Sequence, residues 1–479
     1  MRSKLACFTL ALALGACGDN NTLEPTPDAP VVLDPDASID APPSSFVAPT
    51  PFAIPLSAAG PDQLQSATAA PDGKFYAAGF AGAAVTGPRF VTVVKYGMTG
   101  LDATFGTGGV VTTAVDFRGG ADEVDITTQA DGKLLVSATV ANGANPADRD
   151  VAVIRLLANG TLDPTFGTAG VATINLNDAV LNTATPPVLT GLDGARGLTV
   201  DTNGIYVHAG SRALGTVAGG GPRLDTDFTV VRLTDLGVVD TTFATNGQFR
   251  LDIQESGANA RGIKTLPDGT IIAGGYANSS GLGTTQAVLY KLTPAGVLDP
   301  AWLTAGNPFH ETVLTIQTEV YNFAIHGTHL VTAGYGRDTG TTNDYVSLRF
   351  EVATGVRDLA WGGAANGAVF FDPSGTMLGS NCRNAIALPD GKTLMTGSTG
   401  PANLPAQDAV FAVLDASGAL DTKYGDGIHV YPLGANGNDQ FWGGAVSGNN
   451  VTVVGYQGGL ATQTDLVNDD AYGVVFEIQ

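Results

Sequence analysis

The chain has 479 residues, of which 64 are glycine and only 14% are charged, while 44% are hydrophobic. This composition favours many short strands joined by turns over helices, whose exposed faces need Glu, Lys and Arg. The formal net charge is −22, and so acidic a surface repels phosphate backbones, which excludes nucleic acid as a partner.

Residues 1–16 have the features of a secretory leader. Arg2 and Lys4 precede an apolar run, residues 6–14, that is too short to cross a bilayer. The sequence LGAC at residues 14–17 resembles the lipobox of bacterial lipoproteins. The resemblance implies that Cys17 is lipidated and becomes the mature N-terminus. The alternative is a plain secretory leader with an incidental cysteine.

The segment after the cysteine lacks the composition of a folded domain. Residues 18–50 are rich in proline and aspartate and contain no lysine or arginine, so they cannot build a core. We therefore expect residues 17–50 to form an extended, disordered tether. Gly18 replaces the aspartate of the inner-membrane retention signal. An outer-membrane lipoprotein of the cell envelope is expected, on either its periplasmic or its surface-exposed face.

One motif recurs six times from residue 101 onward. An Asp stands three residues before an aromatic residue, downstream of an apolar strand and, further upstream, of a turn that is usually Asp-Gly or Asn-Gly. These dipeptides predict two-residue type I′ hairpin turns. The copies are Asp102/Phe105, Asp163/Phe166, Asp240/Phe243, Asp299/Trp302, Asp358/Trp361 and Asp421/Tyr424.

Each repeat predicts four antiparallel strands, A to D, in about 60 residues, which is the pattern of a propeller blade. The A–B hairpin occurs seven times and the Asp–aromatic turn six times, and residues 52–64 match residues 429–441. Residues 51–479 are therefore predicted to be an all-β, seven-bladed β-propeller of four-stranded blades. The N-terminal strand is expected to close the last blade.

The repeated aspartate and aromatic residue have a structural interpretation. The carboxylate is expected to accept backbone N–H groups just ahead of it, and the aromatic ring to pack between blades. A calcium site is the alternative, but one carboxylate per repeat supplies too few oxygens. The motifs PDGK and G-x-L-D-x-x-F-G-x-x-G resemble the delta-60 repeat family of bacterial secreted proteins and lipoproteins, over residues 51–479. The resemblance implies a propeller without general catalytic residues.

Motifs of catalysis or metal binding are missing. The chain contains neither Gly-x-Ser-x-Gly nor His-Glu-x-x-His. We expect no catalytic residue, no metal and no cofactor. Cys382 is expected to be a buried, inert thiol in strand A.

One position of strand A is predicted to ring a mouth of the axial channel. Three of its residues are arginines in an otherwise acidic protein, and guanidinium groups suit an anion such as the carboxylate of an acidic glycan. The alternative is that Glu319, or loop acids such as Asp62, Asp122 and Asp439, neutralise them. Counting eight residues back from each turn glycine gives Gln65, Val124, Arg196, Arg261, Glu319, Arg383 and Gln440.

Two functions are compatible with these features. The first is a surface-anchored, monomeric, non-enzymatic binding or scaffolding propeller for acidic glycans or envelope proteins. Its recognition loops are expected at residues 175–194 and 210–226, on the arginine face. The alternative is a propeller hydrolase or lactonase with a metal in the axial channel.

Overall fold

The computed structural model describes part of one compact unit, Pro42–Gln479. The expectations for the leader, for Cys17 and for most of the tether lie outside the described residues. Within the described part, no helix has the length and apolar character needed to cross a bilayer. The described residues are 46–479 except 58–59, 85–86, 119–122, 144–147, 182–186, 188, 191–192, 218, 279–283, 304–305, 341, 365, 376–378, 401–406, 435–436 and 459–469.

The protein is an all-β propeller, and its main described strands pair into seven antiparallel groups of four, here numbered as blades 1 to 7. The A strands are Asp62–Ala69, Asp125–Thr128, Gly194–Val200, Ala258–Thr265, Asn322–His326, Ser380–Ala387 and Gln440–Ser447. The B strands are Phe75–Gly82, Leu134–Ala141, Ile205–Arg212, Ile271–Asn278, His329–Arg337, Thr393–Thr399 and Asn450–Gln457.

The outer strands complete each blade. The C strands are Arg89–Gly97, Arg149–Leu156, Thr226–Leu233, Thr285–Leu292, Asp344–Glu351, Asp408–Leu414 and Asp470–Glu477. The D strands are Val110–Phe117, Val171–Ile174, Gln248–Leu251, Phe309–Glu311, Ala368–Phe371, Ile428–Tyr431 and Phe52–Ala53. Shorter strands are Gly100–Leu101, Val180–Leu181, Leu189–Thr190 and Gln317–Thr318, the last of which joins blades 4 and 5; the 3₁₀ turns are Trp361–Gly363, Pro389–Gly391 and Thr422–Tyr424.

The N-terminal strand completes the last blade, as the sequence match predicts. Phe52 pairs with Gly473 and Ala53 with Tyr472, on the outer side of strand C of blade 7. Each A strand lies against the A strand of the next blade, and that of blade 1 lies against that of blade 7. The ring of blades is therefore closed, and the seam leaves no A strand without a neighbour on either side.

The hydrophobic core is divided among the blade interfaces. Seven buried clusters lie between consecutive blades in the described part of the chain, and one of them joins blade 7 to blade 1. Each cluster takes an aromatic residue from the Asp–aromatic turn or from the closing strand: Phe105 packs on blade 2, and Phe166 on blade 3. The prediction that the aromatic residue packs between blades is confirmed.

The turn aspartates act as predicted. Asp163 accepts the backbone N–H of Thr165 with Oδ1 at 3.0 Å, and the same bond occurs at all six copies of the motif. Its Oδ2 pairs with Arg155 of strand C at 3.0 Å, and Arg155 also donates to the carbonyl of Asp235 in the next blade. The turn interpretation is thus confirmed, and the strand C arginine joins neighbouring blades.

The prediction of two-residue type I′ turns is wrong for the PDG hairpins of blades 1 and 4, whereas in blade 6 Asp390 and Gly391 have the positive φ values, +61° and +77°, that the prediction expects. In blade 1, Ala70 donates its N–H to the Lys74 carbonyl, and Gly73 has a φ of +83°. The loop thus has three residues, a type I turn followed by a left-handed glycine. Pro71 explains the difference in blade 1, because a two-residue turn at Asp72 and Gly73 would need the preceding residue to donate its N–H to the Lys74 carbonyl, and proline has no N–H.

The hairpins of blades 5 and 7 do have two-residue turns. His326 pairs with His329, and Ser447 pairs with Asn450. Gly327 and Gly448 are the first turn residues and have a φ of +59°, as in a type II′ turn. The glycine is therefore the first loop residue in these two hairpins and the last in the PDG hairpins. Counting the same number of residues back from the glycine thus reaches positions in strand A that differ by two residues.

Candidate functional site: the axial cavity and the loop end

The A strands enclose a small cavity on the propeller axis. Its volume is about 30 Å³, comparable with the space of one water molecule and far below the 300–1,000 Å³ of typical ligand pockets. All seven blades contribute to its wall, through Gln65, Ser66, Glu123, Val124, Asp125, Arg196, Gly197, Gly262, Ile263, Lys264, Tyr321, Asn322, Arg383, Asn384 and Trp442.

Four of the seven residues predicted from the sequence, Gln65, Val124, Arg196 and Arg383, line the cavity, and Arg261 lies just outside its wall. Strand A pairing skips one residue, as in a β-bulge, at Gln65, Arg196 and Arg383, which lets these side chains turn towards the axis. Val124 lines the same cavity. In blade 4 the irregularity spans Arg261 and the residue after it.

The assignment of Glu319 and Gln440 to this ring is wrong. Tyr321 and Trp442 line the cavity in blades 5 and 7 instead, two residues further along the chain. The cause is the shorter A–B turn of these two blades, described above. The observed ring is thus Gln65, Val124, Arg196, Tyr321, Arg383 and Trp442, with Arg261 just outside it.

Arg261 is buried among aromatic rings and one carboxylate. Only 5% of its surface is exposed, and its Nη1 donates to Glu123 Oε1 at 3.0 Å. Its Nη2 donates to the hydroxyls of Tyr276 and Tyr321, and the guanidinium lies 4.2 Å from the Tyr321 ring centroid. Burial acts to lower the pKa of Arg261, but Tyr321, Tyr276 and Glu123 raise it above its usual value, so this residue stays charged.

Arg383 contacts the same tyrosine ring. Its guanidinium carbon is 4.8 Å from the centroid of Tyr321 and 4.6 Å from that of Trp442. Its Nε donates to Gln440 Oε1 at 3.2 Å. The Tyr321 ring thus lies within 5 Å of two guanidinium groups, and cation–π attraction offsets part of the repulsion between them.

The counter-charge of the arginines is Glu123, which the sequence analysis did not single out. Glu123 Oε1 lies 3.0 Å from Arg261 and 4.0 Å from Arg196. Glu319 forms no ion pair with an arginine in the described residues; its Oε1 accepts from Gln317 Nε2 at 2.6 Å. Burial raises the pKa of Glu319, so its neutral form is favoured relative to an exposed glutamate. Glu319 therefore contributes a weaker counter-charge than Glu123, since Arg261 and Arg383 act to lower its pKa without forming an ion pair with it among the described residues.

The two glutamines connect neighbouring blades. Gln65 Oε1 accepts the backbone N–H of Val124 at 2.9 Å, from blade 1 to blade 2. Gln440 Nε2 donates to Ser398 Oγ at 2.9 Å, from blade 7 to blade 6. The two glutamine side chains therefore have a structural role, which is to join neighbouring blades.

The aromatic residues of the cluster were missed, although the sequence contains a signal for them. Strand B ends in Gly-Tyr in three blades, at residues 275–276, 334–335 and 455–456. Tyr276 and Tyr335 flank Tyr321, with ring centroids 5.8 and 5.2 Å from it. The repeated Gly-Tyr pair in strand B is thus a sequence signal for tyrosine side chains that lie close to the propeller axis.

The long loops of blades 2 and 3 meet at the end of the propeller where the A strands begin. Arg212 Nη2 donates to Asn177 Oδ1 at 2.9 Å, and Arg250 Nη2 donates to the Leu176 carbonyl at 2.6 Å. Arg223 pairs with Asp225 and Asp252. We call residues 175–181 and 211–226 together, apart from the undescribed residue 218, the loop platform; both described pieces are tied to the scaffold through arginines.

Among the described residues, one group of three carboxylates is spaced closely enough to hold a metal ion. It lies at the edge of the loop platform, to which one of its members belongs. Asp225, Asp227 and Asp252 have oxygens within 4.8 Å of one another, and Arg223 already contributes a positive charge between two of them. The group is not on the axis, where the enzymatic alternative expects a metal.

Similarity to solved structures is confined to the general fold. The polysaccharide lyase Uly1 has a TM-score of 0.42 at 10% identity, over 85% of this chain and 88% of that chain. The β-propeller domain of the Trilobed protease from Pyrococcus furiosus has 0.40 at 12%, over 87% and 94%. Sqt1 from Chaetomium thermophilum has 0.37 at 12%, over 90% and 100%. These proteins differ in function, so none assigns one here.

No curated protein sequence matches the chain. A family model described as a domain of unknown function (DUF5122) beta-propeller matches residues 129–166 and 266–301. Both segments run from the A–B turn to the Asp–aromatic turn, in blades 2 and 4. The two matched segments are therefore those of a β-propeller repeat family.

Proposed function

We propose that this chain is a non-enzymatic binding propeller whose loop platform docks a protein partner in the cell envelope. The observation that carries the proposal is a group of exposed aliphatic side chains on the platform. Leu181, Leu214, Val217 and Leu224 are 37–62% exposed, and neighbouring backbone bonds hold them on short hairpins. Apolar side chains on preorganised loops are typical of protein contact surfaces.

The axial cavity gives less support to a small-molecule substrate. Its volume of about 30 Å³ leaves no room for a sugar or lactone ring. The carboxylates in its wall are already bonded: Glu123 to Arg261, and Asp125 to Ser66 and to the backbone N–H of Leu198. This favours binding at the loop end over hydrolase or lactonase chemistry on the axis.

The test compares two sets of exposed aliphatic residues. Wild type, a platform variant (Leu181→Ala, Leu214→Ala, Val217→Ala, Leu224→Ala) and a control (Val297→Ala, Val356→Ala) are used to capture partners from envelope extract. The control residues are 59% and 55% exposed on C–D turns at the opposite end. We expect one specific partner with wild type and control, and none with the platform variant. Equal recovery by all three proteins would contradict the proposal, and retention of wild type on an acidic glycan alone would support the arginine ring instead.

We also propose that Cys17 carries a lipid and that residues 17–50 tether the propeller to the outer membrane. The support is the LGAC sequence and the proline- and aspartate-rich composition that follows it. Cys17→Ser should move the protein from the detergent phase to the aqueous phase or leave it unprocessed. Cys7→Ser, a change within the leader, is the control and should partition as wild type does. Unchanged partition of the Cys17 variant would remove the anchor.

A further inference from the structure

The wall of the axial cavity carries more basic than acidic groups. Arg196, Lys264 and Arg383 line it, against Glu123 and Asp125. Arg261, just outside the wall, takes the shortest contact to Glu123, at 3.0 Å, while Arg196 is 4.0 Å away. In a protein with a net charge of −22, the axis is thus a local positive region. Charges beyond about 8 Å are largely screened at physiological salt, so the local groups decide what binds there.

The acids of the wall are not available to neutralise this charge fully. Asp125 Oδ1 accepts from Ser66 Oγ and from the N–H of Ile126, while Oδ2 accepts the N–H of Leu198 at 2.8 Å. Burial raises the pKa of Asp125, while the nearby Lys264 acts to lower it; even with Asp125 and Glu123 both ionised, the four basic groups outnumber them. The positive excess on the axis therefore persists when these contacts are counted.

Two of the basic groups retain free donors. Arg383 uses Nε for Gln440, but its Nη atoms donate to no acceptor in the described part of the chain. Lys264 likewise forms no ion pair among the described residues, although its side chain borders the cavity. Stacking on Tyr321 and Trp442 holds the Arg383 guanidinium in place. The Arg383 donors are thus preorganised and can bind an anion with little further cost in side-chain order, whereas the exposed Lys264 must be ordered by the ion.

We propose that the axial cavity binds one small inorganic anion, chloride or an ion of its size, between the Arg383 guanidinium and the Lys264 ammonium group. Arg196 adds positive charge to the same wall. The size of the cavity, about 30 Å³, selects a monatomic anion over a sugar carboxylate. The site is separate from the loop platform, so either proposal can fail without the other.

Bromide substitution tests the location of the ion. Crystals of the full propeller grown in sodium bromide should give one anomalous peak on the axis, within contact of Arg383 and Lys264. The absence of a peak there, with only water in the cavity, would overturn the proposal. A peak that persists unchanged in both Arg383→Gln and Lys264→Met would overturn it as well.

Thermal unfolding in two salts tests the energetic link in solution. At equal ionic strength, sodium chloride at about ten times the dissociation constant should raise Tm by about 1–2 °C over sodium gluconate. Lys264→Met should reduce this difference, and because Lys264 is exposed the variant should fold. Lys423→Met, an exposed lysine on a C–D turn, is the control and should keep the difference. Identical Tm values of wild type in the two salts would contradict the proposal.

Discussion

The replacement Glu123→Gln gives the sharpest test of the charge cluster on the axis. Arg261 is 5% exposed and its guanidinium is 3.0 Å from Glu123. Breaking a buried ion pair by removing one partner costs about 3–5 kcal/mol. The Glu123 side chain is itself 14% exposed, and the amide retains one acceptor for Arg261, so we expect a cost of roughly 2–3 kcal/mol.

This cost converts into a measurable shift. An unfolding entropy of about 2.1 cal/mol/K per residue gives roughly 0.9 kcal/mol/K for a propeller of this size, and therefore a fall in Tm of about 2–3 °C. The matched control is Glu319→Gln, another glutamate in the same cluster. Because burial raises the pKa of Glu319, its ionised form destabilises the folded state at neutral pH, and its replacement should leave Tm unchanged or raise it.

Differential scanning calorimetry of both variants at pH 7 tests which glutamate is the main counter-charge of the arginines. The stabilising effect of Glu319→Gln should disappear as the pH falls well below about 4.3, the ordinary pKa of a glutamate, because the carboxyl is then protonated in both the folded and the unfolded state. A larger loss of Tm for Glu319→Gln than for Glu123→Gln would refute the assignment of Glu123 as the counter-charge. Equal losses would show that the arginines share both acids.

Three further outcomes are expected. Asp163→Asn should lower Tm by about 2 °C at pH 7, because Arg155, 1% exposed, loses one of its two carboxylate partners and keeps Asp235. The Thr165 hydroxyl lowers the pKa of Asp163, so the gap to wild type should close as the pH falls below about 4. Burial raises the pKa of Asp193 to about 7, so stability from its protonated form is lost as the pH rises through 7, and Asp193→Asn should raise Tm at pH 8 but not at pH 4. Cys382, fully buried with a raised pKa, should react with a thiol reagent only after unfolding.

The architecture could be predicted from the sequence because its signals are local and repeated. The Asp–aromatic turn recurs with the same Asx geometry at every copy, and each copy fixes the end of a C strand. The match between residues 52–64 and 429–441 identified the closing strand, which pairs as expected through Phe52 and Ala53.

The charge cluster on the axis could be predicted only in part. The position of Arg383 followed from its distance to Gly391, but the same count placed Glu319 where Tyr321 lies, because turn length changes the register. The partner of Arg261 could not be read from the sequence at all. Glu123 is 138 residues away, and the contact depends on how far two side chains reach across the axis.

The closing strand also determines how the fold would bear mechanical load. Phe46, just ahead of that strand, packs on Tyr424, His429 and Phe476 at the end of the propeller that carries the C–D turns. Tension applied through the preceding chain would first load the contacts of Phe46 with blades 6 and 7. It would then pull the two-residue closing strand away from blade 7, one hydrogen bond at a time. The aromatic contacts of Phe46 must therefore break before the closing strand separates. The closing strand would in turn separate from blade 7 before any interface between two blades is sheared.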